Sequence, residues 1–158
     1  MTIAQGEGSS TGDLPPGGLS ESPLIWVGRI VGSGLLVWMG WIHLHLWSEG
    51  YKHVGTIGPL LIADFVAAIV IALLLLGVHR WNLVAAISFA GAGLALLALG
   101  ALALSINVGL FGFTESWKAP FTHVSVGIES AAAVVLLATA AGAALSDQQE
   151  SPTGPRRD

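Results

Sequence analysis

Apolar residues fill four long, nearly uninterrupted stretches of this chain: Leu24–Trp47, Ile57–Val78, Asn82–Ile106 and Pro120–Leu145. An α-helix rises about 1.5 Å per residue, so about 20 residues cross the hydrocarbon core of a bilayer. Each stretch reaches that length. A soluble protein of 158 residues has no core large enough to hide four of them. The pattern predicts an all-α integral membrane four-helix bundle. Its transmembrane domain spans residues 23–146, with tails at 1–22 and 147–158 that are expected to be disordered. Pro23 suits the first turn of a helix, where its missing N–H would be unpaired anyway, and Ser20 or Ser22 offers a cap. Only His79, Arg80 and Trp81 separate the second and third stretches, which makes them an antiparallel hairpin.

Composition sharpens this picture at a few points. Mean hydropathy is +0.74 and only 10% of residues are charged, which places the chain in the membrane class. Cysteine is absent, so disulfides, thiolate metal sites and cysteine nucleophiles are excluded together. Acidic side chains and the net charge of −4 lie largely in the tails, and no basic patch suggests nucleic acid. The N-terminal stretch has neither a positive n-region nor an apolar core of its own, so a cleavable signal peptide is not expected. Arg29, Arg80, Arg156 and Arg157 fall on one side of the proposed membrane, Lys52 and Lys118 on the other. Basic loops stay inside, so both termini are expected in the cytoplasm of a multi-pass plasma-membrane protein.

Ionisable groups inside a bilayer are costly, and each is a candidate for function. The chain has few: Arg29, His43 and His45 in the first span, Asp64 in the second, His123 and Glu129 in the fourth. Counted from the span ends, His43 and His123 lie about 5–6 Å deep, Asp64 about 10 Å and Glu129 about 13 Å, all towards one end. Helical spacing puts His43 on a face with Gly32, Leu36 and Gly40, and puts His45 with Trp38 and Trp41 on an interfacial face. His123 shares a small-residue stripe with Gly127 and Ala131. The expectation is that His43 and His123 point inward, that Asp64 joins them, and that Glu129 sits about 120° off that stripe. Arg29 is expected to snorkel towards the inner headgroups.

Imidazoles with carboxylates suit a metal ion such as copper, zinc or iron, and two histidines from different helices suit a haem b. The same groups could instead form a proton relay or a hydrogen-bond network that fixes helix register. No His-Glu-x-x-His, P-loop, Rossmann or Ser-His-Asp pattern is present. The leading expectation is a small membrane protein that binds a metal ion or haem near the outer end of its bundle, supporting redox or metal handling. His43 and His123 would be ligands, with Asp64 and Glu129 as further metal ligands. The alternative is a cofactor-free accessory subunit that packs its small-residue faces against a larger membrane complex or a second copy.

The segment from Trp41 to Leu61, which begins Trp-Ile-His-Leu-His-Leu-Trp-Ser-Glu-Gly, resembles a segment of small four-span membrane proteins of high-GC Gram-positive bacteria. The four-span plan loosely resembles the DoxX-like superfamily. The resemblance implies the architecture and assigns no activity.

Overall fold

In the computed structural model, residues 23–119 and 121–150 are described. Four helices follow one another: α1 Pro23–Ser48, α2 Ile57–Gly77, α3 Trp81–Asn107 and α4 Thr122–Glu150. A single 3-10 turn, Tyr51–His53, lies between α1 and α2. All four helices are long and apolar enough to cross a membrane. What the sequence suggests for 1–22 and 151–158 lies outside the described residues.

The boundaries fall within about two residues of the apolar stretches, except at the end of α4. There the helix runs on to Glu150, past the expected start of the tail at 147. Gln and Glu are good helix formers, so polarity ends the span without ending the helix. Ser146 also donates to the Gly142 carbonyl one turn back, at 3.1 Å.

The helices form a ring in chain order. α1 packs on α2 and α4, α3 packs on α4, and α2 meets α3 over a shorter contact. The end that carries the 3-10 turn and the α3–α4 loop is termed the outer end; the α2–α3 turn marks the inner end.

Small residues fill the core, among them Ala68, Ala72, Ala92, Ala95 and Ala132, while Trp38, Leu73, Phe89, Leu97 and Val134 stay exposed. Soluble proteins do the opposite. In lipid, helices gain nothing by hiding leucine, and association depends on close packing around small residues. Leu136 is one of several larger side chains, with Leu36, Met39, Ile42 and Leu75, that are also buried there. It fits a socket between two glycines: a Cβ on Gly32 would come within 2.6 Å of its Cδ2, and one on Gly91 within 3.0 Å of its Cδ1. One α4 leucine thereby fixes how closely α1 and α3 approach.

Arg29 corrects the sequence reading. It is 1% exposed and does not snorkel. Its Nε donates to the Leu75 carbonyl at 2.9 Å, and its Nη2 donates to Leu76 at 3.2 Å and to Val78. These oxygens belong to the C-terminal end of α2, where carbonyls lack helical partners and the dipole is negative. α2 has no basic residue in its own last turn, so α1 supplies the cation. One turn further along α1, Ser33 donates to the Ala72 carbonyl at 3.2 Å. Polar contacts between helices thus join α1 to α2 along the inner half of the bundle.

Candidate functional site

At the outer end, three helices bring ionisable groups together. His43 comes from α1, Asp64 from α2 and Glu129 from α4. His43 Nδ1 lies 2.5 Å from Asp64 Oδ2, and its Nε2 lies 3.6 Å from Glu129 Oε1. The Asp64 contact is short but falls outside hydrogen-bond geometry, and both atoms are buried without a hydrogen-bond partner. Glu129 is 2% exposed, and its Oε2 is buried without a hydrogen-bond partner. Burial penalises net charge. One imidazole and two carboxyl groups are neutral in total when they carry two titratable protons.

The triad borders a cavity of about 700 Å³ between the outer halves of α2 and α3. α2 contributes Leu60, Leu61 and Ala67, and α3 contributes Leu97, Ala98 and Ala101. Leu60 and Leu97 are also among the exposed apolar side chains, so the cavity is a cleft that opens at the apolar surface of the bundle. Small residues on α3 create the space: Gly100 has no atom within 4 Å of where a Cβ would stand.

Loop residues close the outer end of the cleft. Tyr51 donates to Glu115 Oε2 at 2.7 Å and packs edge-on against Phe113, ring centres 5.4 Å apart. The Glu115 backbone N–H donates to both the carbonyl and the hydroxyl of Ser105, each at 3.2 Å. A tight turn shapes this loop, with Leu110 and Phe113 exchanging backbone hydrogen bonds of 2.7 and 2.9 Å. Phe111 and Gly112 at its tip both have positive φ, 51° and 78°, as a type I′ turn requires.

Burial, and then the Glu115 carboxylate, push the half-buried Tyr51 phenol above its ordinary value. A raised phenol favours the folded state below about pH 10, and that contribution is lost as pH rises further. Thermal stability should therefore fall in that alkaline range, and Tyr51→Phe should flatten the fall. An unchanged pH profile in Tyr51→Phe would show that the Tyr51–Glu115 contact contributes nothing.

Of the residues singled out from sequence, the structure gathers His43, Asp64 and Glu129. His123 stays apart. It is exposed and stacks on Trp117, ring centres 5.8 Å apart. The small stripe that was to carry it inward faces outward too, with Gly127 and Ala131 exposed. The buried face of α4 runs instead through Ser125, Glu129, Ala132, Leu136 and Thr139. His45 shares its face with Trp41, as its spacing suggests, stacked on it at 5.2 Å and edge-on to Phe121. Both His43 nitrogens face carboxylate oxygens, and His123 is elsewhere, so these two histidines do not form a pair of haem ligands in this arrangement. Among the described residues, no three or more His, Asp or Glu gather as a metal-holding group. Tyr51 and Glu115 were not foreseen; nothing in the local sequence links positions 64 residues apart.

Comparison with family models gives no match, and neither the curated proteins nor the solved structures yield one. The resemblance drawn from Trp41–Leu61 rests on that segment alone.

Proposed function

We propose that this protein binds a lipid-soluble small molecule, with the ligand's apolar part between α2 and α3 and its polar end at His43, Asp64 and Glu129. The observation that carries this reading is the cleft of about 700 Å³ with a buried triad on its wall. Small-molecule sites are mostly apolar concavities of about 300–1,000 Å³ with a few convergent polar groups. Three ionisable groups at membrane depth are too costly to keep for packing alone when alanines could fill the same space. The expected metal or haem gains no support from this geometry, and nothing favours an accessory subunit over a protein acting on its own.

Filling the cleft tests the reading. Ala98→Trp places a large side chain on the α3 wall, away from the triad. Lipophilic aromatic compounds of positive, negative and zero charge are added to purified protein, and thermal unfolding is followed. At least one charge class should raise the Tm of the wild type, and Ala98→Trp should abolish that rise. Leu83→Trp, on the exposed inner part of α3, should leave it intact. If no class stabilises the wild type more than Ala98→Trp, the cleft is not a ligand site.

A further inference from the structure

The titratable groups around the cleft narrow the chemistry of its ligand. Asp64, Glu115 and Glu129 contribute three carboxyl groups to its lining, and His43 contributes the imidazole; among the described residues neither lysine nor arginine lines it. Glu115 is engaged by Tyr51, while Asp64 Oδ2 and His43 Nδ1 lie 2.5 Å apart, both buried without a hydrogen-bond partner. Glu129 is engaged only on one side: Oε1 is 3.6 Å from His43 Nε2, while Oε2 is buried with no hydrogen-bond partner. A carboxyl oxygen buried without a partner is costly, so an occupant that satisfies it brings a positive charge or a donor. An anion would meet three carboxyl groups and no fixed cation. A purely apolar occupant would leave Oε2 as it is.

Resting on the ligand-binding reading above, we propose that the cleft takes a lipophilic organic cation, whose charged centre replaces a proton at the His43–Asp64–Glu129 triad. No bond between heavy atoms changes; one O–H or N–H bond of the triad is exchanged for an O–H bond to water. The cation enters from the lipid side, one proton leaves the triad for water, and the charge of the site stays constant. The groups that face the exchanging centre are His43 from α1, Asp64 from α2 and Glu129 from α4. Among the remaining polar lining α3 contributes the Ser105 hydroxyl, α4 the Ser125 hydroxyl, and the loops Tyr51 and Glu115. Leu60, Leu61, Leu97 and Phe111 offer the apolar walls for the cation's substituents.

Tetraphenylphosphonium is a suitable probe, because tetraphenylborate has nearly the same shape and the opposite charge, and triphenylphosphine oxide is neutral. Calorimetric titration of the full chain in non-ionic detergent, in buffers of different ionisation enthalpy, gives both affinity and protons released. The cation should bind at least about tenfold more tightly than the borate or the oxide, with about one proton released. Affinity should rise with pH, since protons compete. Glu129→Gln holds that position permanently uncharged and should weaken cation binding by about tenfold and suppress proton release. Asp64→Asn should do the same if the glutamine variant fails to fold, and the comparison of the three probes on wild type needs no variant. Equal binding of cation and borate, or cation binding without proton release, overturns the proposal. Binding of the oxide alone, lost in Ala98→Trp, overturns the cation and keeps the cleft. No binding of any probe overturns both.

Discussion

Replacing Arg29 by leucine should cost about 3 kcal/mol of stability, the sum of lost charge-assisted bonds discounted for partners found in the unfolded membrane state. The guanidinium donates to three carbonyls at the end of α2 and is fully buried, so its loss leaves those oxygens facing apolar side chains. Unpaired backbone groups are penalised most where no water can replace the donor. Arg29→Lys keeps the charge, yet one ammonium cannot reproduce a planar fork, and about half the loss should remain. Denaturant titration of the three proteins in detergent measures this. If leucine and lysine variants match the wild type, the α2 terminus is satisfied in some other way and Arg29 is dispensable.

The second large effect lies in the leucine socket. Gly32→Val should destabilise the bundle by about 2–3 kcal/mol, because a methyl group there collides with Leu136, which is enclosed and has no room to turn aside. Leu136→Ala alone should cost a similar amount through the cavity it opens. Combined, the two should cost at least about 1 kcal/mol less than their sum, since the added valine fills the space that leucine vacates. Strict additivity in a double-mutant cycle would show that α1 and α4 do not meet at this point.

These two sites also show what could be read from sequence. The inward face of α1 was legible, because Arg29, Gly32, Leu36, Gly40 and His43 repeat at helical spacing and all five are buried. That His43, Asp64 and Glu129 lie towards one end of the bundle was legible too, since their positions along the spans place them there. The inward face of α4 was misread. Gly127 and Ala131 mark the outside, and a stripe with Ser125, Glu129, Ala132 and Thr139 faces the core. Small size was the wrong guide, because a polar residue gains more by leaving lipid than a glycine gains by close packing. Pairings between distant segments, such as Tyr51 with Glu115 or Arg29 with the end of α2, follow from how the helices pack and leave no local trace. The end of α2 did carry one usable sign: its last turn holds no residue able to bond its own carbonyls.

The spacing of the polar layers has an electrical consequence. On α1, Ser33 and His43 are separated along the axis by about 15 Å, and the same interval separates Glu129 from Thr139 on α4. The buried side chains between them are Leu36, Met39 and Ile42 on α1 and Ala132, Ala133 and Leu136 on α4. Among the described residues, no chain of titratable or hydroxyl groups bridges that dry section. Under the proposed exchange, this apolar middle section would separate charge held at the triad from the Arg29 and Ser33 layer of the inner half.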